Sequence, residues 1–180
     1  MRLTMLNRVQ GGQRGIHARN EKCNCNKRRN VMERREQVVL ENMCMIRDGS
    51  KVLVEDKIGR DIRGIIFPGG HVEEHEPIVD SVVREIKEET GLTIEDPVLC
   101  GVKNWIDDDG TRYIVFLFKA EKYSGTLTSS SEGQVFWVEI DEVLTLPWIW
   151  GMDNLMKIFV NREFSEFYMN AKDGWTPVMM

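Results

Sequence analysis

Three glutamates, Glu85, Glu88 and Glu89, lie within one short stretch of the chain. A helical wheel brings them to one face. With Ile78 at zero and about 100° per residue, Val82 falls near 40°, Ile86 near 80°, Val79 near 100° and Val83 near 140°, which makes an apolar stripe. On the same wheel Glu89 falls at about 20°, Glu85 at about -20° and Glu88 at about -80°. Arg84 and Lys87 fall on the far side. Like charges at i,i+4 cost about 0.2–0.5 kcal/mol even when exposed. At the edge of a buried stripe Glu85 and Glu89 cost more, unless a carboxyl is protonated or a cation lies between them. Three carboxylates with no Lys or Arg on their side suit a hard divalent cation held by oxygen. Mg²⁺ fits, with Mn²⁺ as a substitute, and zinc does not.

The elements that must position these groups follow from punctuation. Pro77 suits the first turn of a helix and Gly91 the position just past its end. Ahead of it, Ile62 to Phe67 reads as a strand broken by Pro68-Gly69-Gly70. Glycines there let backbone groups approach a ligand closely. A carboxylate-held Mg²⁺ beside a glycine turn points to phosphate chemistry, and the chain has no G-x-x-x-x-G-K-[ST] sequence. Val38 to Ile46 is β-like and Asp48-Gly49-Ser50 turns it back into Lys51–Glu55, a hairpin. Strands follow near Val98–Ile106, Tyr113–Ala120 and Val135–Val138, and Asp153 to Phe167 reads as a second amphipathic helix with Leu155, Ile158, Phe159 and Arg162 on its stripe. Strands and helices interleave without regular βαβ periods, which gives a mixed sheet with helices packed on it, an α+β class.

Gly70, Glu76, Arg84-Glu85-Ile86, Glu88-Glu89 and Gly91-Leu92 stand at the spacing of the Nudix box, and residues from about 36 onward resemble a Nudix hydrolase domain. The resemblance implies an α/β/α sandwich around a mixed β-sheet. It implies metal-assisted attack of water on the pyrophosphate of a nucleoside diphosphate linked to another group. Glu85, Glu88 and Glu89 would be metal ligands, with the Gly69 carbonyl as a further one. Arg84 would orient the glutamates, chiefly Glu85, Glu76 would support the loop or reach metal through water, and Gly70 and Gly91 would be structural, Gly70 at the substrate. Glu132, in Ser131-Glu132-Gly133-Gln134, resembles a loop glutamate that completes such sites in mutator-type members as ligand or general base; its other reading is an exposed loop acid.

Farther on, Pro147-Trp148-Ile149-Trp150-Gly151-Met152-Asp153 looks like the tail of oxidised-purine nucleotide diphosphatases, where a Trp stacks on the base and an Asp reads its edge. Trp150 and Asp153 are the nearest positions, although Asp153 also suits a helix cap. Ile66 departs from the human-type enzyme, which carries Asn there. The expected substrate is 8-oxo-dGTP or a related purine nucleoside triphosphate, cleaved to monophosphate and pyrophosphate. ADP-ribose, nucleotide sugars and dinucleoside polyphosphates are the enzyme alternatives. A ligand-sensing or RNA-binding module is the alternative of another class.

Composition bounds these readings. The 180 residues carry a net charge of -5, but residues 1–31 hold eight basic side chains against one acid, Glu21. This stretch reads as a basic arm, disordered, transit-like or a non-native extension ahead of Met32, and residues 33–180 as the Nudix domain. An acidic body excludes a duplex-DNA binder and leaves nucleic acid only the arm. No apolar run is long enough to span a bilayer. The four cysteines lack paired spacing and read as reduced thiols, placing the protein in the cytoplasm. His71 and His75 precede Pro77 and read as loop residues. The second helix and the aromatic cluster would serve a homodimer as readily as a pocket.

Overall fold

In the computed structural model of the protein, residues 36–58, 63–149, 151–161 and 163–180 are described. The predicted arm, Trp150 and Arg162 lie outside them. Strands β1 (Val38–Asp48), β2 (Lys51–Ile58) and β3 (Arg63–Ile66) precede helix α1 (Ile78–Thr90). After it come β4 (Leu92–Glu95), β5 (Val98–Ile106), β6 (Arg112–Ala120), β7 (Lys122–Gly125) and β8 (Gly133–Glu139). A short helix α2 (Met152–Met156), β9 (Glu166–Asn170) and β10 (Val178–Met179) complete the order.

β1 runs parallel to β6, from Val38 opposite Arg112 to Ile46 opposite Ala120. β6 pairs antiparallel with β5, β5 parallel with β9, and β9 antiparallel with β10. β2 meets β1 only at the expected hairpin turn, where Asp48 faces Lys51 and Arg47 faces Val52. Beyond the turn, β2 takes β8 on one edge and β3 on the other, so β1 and β2 diverge. The edge of β1 freed by that divergence is taken by the glycine turn. Asn42 N donates to Gly70 O at 2.8 Å, Cys44 N to Pro68 O at 2.9 Å and Val72 N to Leu40 O at 2.9 Å. The segment that begins the site is thus stitched to the central strand by backbone hydrogen bonds.

Both faces of the sheet are covered, which is why β1 carries an unbroken apolar run at Met43–Ile46. Met43, Met45, Val52, Val54, Val115 and Leu117 face Leu155, Ile158, Phe159 and Phe167. Cys44, Ile46, Leu53, Phe118 and Val135 face Val82 and Ile86 of α1. The expected α/β/α sandwich with a mixed sheet is therefore present.

α1 ends where expected: Gly91 adopts the left-handed conformation (φ 73°) and its N–H returns to Lys87 O. Its buried face is rotated from the wheel expectation. Ser81, Val82, Ile86, Glu89 and Thr90 are buried, while Val79 is exposed. The stripe centres near Val82, so Glu89 lies inside it. The polar side of that face is matched, since Asn42 Nδ2 donates to Ser81 Oγ at 3.0 Å.

The second helix is much shorter than expected. It spans Met152–Met156, runs on as a π turn over Lys157–Asn161, and gives way to strand at Glu166. Leu155, Ile158 and Phe159 keep the helical stripe buried. Phe167 and Met169 alternate into the core at the two-residue period of a strand, and that period wins there.

Candidate active site

Glu89 is the centre of the site. Only 2% of it is exposed. One oxygen accepts from Gly69 N–H at 2.7 Å and the other from Lys57 Nζ at 3.0 Å. Burial pushes its carboxyl above the usual range, and the Lys57 ammonium offsets part of that. Lys57 gathers two more carboxylates, Glu132 at 3.2 Å and Glu55 at 3.9 Å. Burial alone would lower the lysine pKa, but Glu89 and Glu55 outweigh it, so the ammonium is held charged.

Glu55 and Lys57 were not found by sequence reasoning. Glu55 continues the unbroken buried apolar run Val52-Leu53-Val54 on the face of Leu53, and a carboxylate extending such a run was the available signal. It is fully buried, and neither carboxylate oxygen accepts a hydrogen bond. Burial first, and Glu89 next, push its pKa up to about 7. Gly133 packs directly on it: a Cβ there would stand 2.6 Å from Glu55 Oε1.

The second half of the site is organised by Arg84. Its Nε and Nη2 donate to the two oxygens of Glu76 at 2.8 and 2.9 Å, a bidentate pair. Nη1 donates to Glu85 at 2.9 Å and to Glu88 at 3.1 Å, and Nη2 also reaches His71 O at 3.0 Å. The Arg84 hydrogen bonds hold the Glu76 carboxyl down at about 2. Gly70 is required by contact, because a Cβ there would stand 2.5 Å from Glu85 Oε2.

These contacts correct one expectation. The glutamates do have cations on their side, because Arg84 reaches round the helix and Lys57 arrives from β2. Wheel angles place Cα atoms, while a long side chain moves its charge elsewhere. Glu85 and Glu88 turn to one cation and Glu89 to the other, and among the described residues no three acidic, His or Cys side chains are already arranged around a point that would hold a metal ion. The charge remains unbalanced: Glu55, Glu76, Glu85, Glu88, Glu89 and Glu132 surround Arg84 and Lys57. The orphaned Glu55 oxygens, the all-oxygen donor set and this excess of carboxylate fit a hard divalent cation.

Glu85, Gly69, Gly70, Lys57 and Glu132 line one cleft of about 360 Å³, together with Ile66, His71 and Ile149. Glu88 is not among the lining residues, and its side chain is 60% exposed. Glu132 is exposed as a loop acid, and its carboxylate reaches Lys57. Ile66 presents an apolar wall where a base-reading amide was absent from the sequence. Asp153 is not brought to this cleft. It is exposed in the first turn of α2, beside a separate depression lined by Arg47, Ile140 and Lys157.

Comparison with known proteins agrees with the geometry. The model of the NUDIX domain matches residues 41–159. The Nudix hydrolase YvcI of Bacillus subtilis is 35% identical over 63% of this chain and 77% of its own length. The phosphatase NudJ of Escherichia coli K12 is 31% identical over 43% of this chain, and the match spans about half of that relative, 52%. A MutT protein from Bacillus halodurans superposes with a TM-score of 0.62 at 29% identity, covering 78% of this chain and 94% of that one. With the family's glutamates and glycine turn in place around a buried Glu89, the chain belongs to the Nudix family and is a hydrolase acting on pyrophosphate bonds.

Proposed function

We propose that the protein is a Mg²⁺-dependent nucleotide pyrophosphohydrolase, with a purine nucleoside triphosphate as its substrate and 8-oxo-dGTP as the favoured member. The observation that carries this reading is the buried Glu89, tied to the Gly69 N–H and to a lysine that already gathers two further carboxylates. The metal would be held by Glu85, Glu88, Glu89 and the Gly69 carbonyl. That carbonyl accepts no hydrogen bond among the described residues, while those of Pro68 and Gly70 on either side are taken by β1. When bound, the ion lowers the pKa of a coordinated water and neutralises charge on the departing phosphate.

The protein's own groups do the rest. Arg84 holds Glu76 and Glu85 in register and acts as a positioning residue. Gly70 leaves room for the Glu85 carboxylate at the cleft wall. Glu132 would take a proton from attacking water, a role that its exposure and its place next to Lys57 support. Lys57 offers a fixed positive charge to phosphate oxygens entering the cleft. Trp150 and a cytoplasmic location belong to the same proposal.

The test is a substrate panel in Mg²⁺ with Glu89→Gln as control. It holds ordinary and oxidised deoxynucleoside triphosphates, ADP-ribose, a nucleotide sugar and a dinucleoside polyphosphate, with products separated by chromatography. Monophosphate plus pyrophosphate, chiefly from 8-oxo-dGTP and lost in the variant, supports the reading. Preference for another panel member discards the oxidised-purine assignment, and turnover that survives Glu89→Gln discards the site.

A further inference from the structure

Glu132 is held at more points than an exposed loop acid needs. Its side chain is 58% exposed, yet its amide, its carbonyl and its carboxylate are each engaged. The N–H donates to Ser130 Oγ at 3.0 Å, the carbonyl accepts from Ile58 N at 2.7 Å, and the carboxylate meets Lys57 Nζ at 3.2 Å. The next residue is fixed by contact. A Cβ on Gly133 would stand 2.5 Å from Asp56 O and 2.6 Å from Glu55 Oε1.

The loop between β7 and β8 that carries Glu132 is tied down along its length. Thr128 N donates to Thr90 O at 2.9 Å, which joins the loop to the last residue of α1. The three serines that follow have different places. Ser129 Oγ accepts from Val135 N at 3.1 Å, across the neck of the loop. Ser130 Oγ takes the Glu132 amide two residues on, the local turn that Asn and Asp make readily and Ser more weakly. Ser131 is exposed, and among the described residues its hydroxyl makes no hydrogen bond.

We propose that Ser130 is a positioning residue for catalysis: its hydroxyl fixes the backbone of Glu132 so that the carboxylate points into the cleft beside Lys57. This rests on the reading of Glu132 as the group that takes a proton from water. Glu132 lines the cleft and Ser130 does not, so the serine acts through the glutamate. Lys57 cannot supply the aim alone. Its ammonium is a compact point charge shared with Glu89 and Glu55, which attracts a carboxylate without setting its direction. The hydrogen bonds on the two sides of Glu132, to Ser130 and to Ile58, hold both flanking peptides and so set the Cα–Cβ direction. They also spare an exposed, flexible side chain part of the entropy of being placed.

The test is a double-mutant cycle on the full chain at saturating Mg²⁺, with whichever panel substrate is turned over. Ser130→Ala should lose about tenfold in kcat with little change in KM, short of the roughly 10²-fold that a 1 Å misplacement costs. Ser130→Asn, whose amide oxygen makes the same turn, should stay within about twofold of wild type, and so should the neighbouring control Ser131→Ala. Glu132→Gln should lose about 10²–10⁴-fold. Adding Ser130→Ala to it should cost less than about twofold more, because the group that the serine places no longer acts. Melting curves establish that each variant is folded. A second readout needs no turnover: the Glu132 amide should exchange slowly in the wild type and in Ser130→Asn, and about tenfold faster in Ser130→Ala. Loss in Glu132→Gln beside wild-type rates in Ser130→Ala overturns the positioning alone, as does a full further tenfold loss in the double variant. A wild-type rate in Glu132→Gln overturns the proton-acceptor reading and the positioning with it. If no panel substrate turns over, the substrate reading falls, and equal exchange of the Glu132 amide in wild type and Ser130→Ala overturns the hold itself.

Discussion

Lys57 Nζ stands 3.0 Å from Glu89 Oε1, and the contact joins β2 to the buried face of α1. The lysine is the only cation recorded beside Glu55 and Glu132 among the described residues, so its loss leaves three carboxylates facing one another. Lys57→Met should destabilise the metal-free protein by roughly 2–4 kcal/mol, below the top of the range for a broken buried pair because Lys57 is 21% exposed at its side chain. Mg²⁺ should recover much of the loss, since a divalent ion replaces the missing charge. Urea midpoints with EDTA and with Mg²⁺ check this. A midpoint unchanged in EDTA would show that the cluster does not depend on Lys57.

Glu55 predicts a pH dependence with a definite sign. Its folded pKa of about 7 lies above its ordinary 4.5, so the native state keeps a proton that the unfolded chain has released. The stabilisation is fully present below about 4.5 and is lost as pH rises through about 7. In EDTA the wild type should thus lose stability from pH 5 to about 8 relative to Glu55→Gln, whose side chain stays neutral throughout. Urea unfolding of both proteins across that interval is the check, and parallel curves would refute the assignment. Mg²⁺ should flatten the wild-type curve, because a nearby dication favours the carboxylate.

Gly70→Ala separates site geometry from folding. The added Cβ meets the end of the Glu85 side chain, 2.5 Å from Oε2, and not backbone. A flexible side chain can swing away, so the melting temperature should change little. The swing would break the 2.9 Å contact with Arg84 and move a metal ligand of the proposed site. An error of about 1 Å in such a position costs on the order of 10²-fold in rate. Steady-state kinetics beside a melting curve decide it. Full activity in the alanine variant would mean that Glu85 needs no fixed place.

Much of this was legible in the sequence where a residue's role depends on its near neighbours. Pro77 and Gly91 bound α1, the Gly49-Ser50 turn set the first hairpin, and the spacing of Glu85, Glu88 and Glu89 marked the site. What could not be read depends on long side chains and distant strands. Arg84 points away on a wheel and returns through its guanidinium. Glu55 and Lys57 reach Glu89 only because β2 lies beside α1 in space. The stretch after Met156 carries a helical stripe and a strand alternation in succession, and the boundary between them is set by pairing with β5, a partner some sixty residues earlier (Val102 opposite Glu166). Asp153 lines a different depression from the cleft, and a motif-like spacing says nothing about which surface a short helix presents.

Arg84→Lys tests positioning against direct contact with substrate. The guanidinium serves Glu76 through Nε and Nη2, Glu85 and Glu88 through Nη1, and the His71 carbonyl through Nη2. One ammonium keeps the charge but cannot hold that fork. If Arg84 acts by fixing ligand carboxylates, the lysine variant should lose about 10–100-fold in kcat and need more Mg²⁺ for half-maximal rate, the usual scale for a group behind a metal ligand. KM for the nucleotide at saturating Mg²⁺ should move much less. Titrating Mg²⁺ and nucleotide separately resolves the two. A variant with an unchanged Mg²⁺ requirement and a raised KM would place Arg84 on the substrate, and the Glu76–Arg84–Glu85 linkage would then be packing alone.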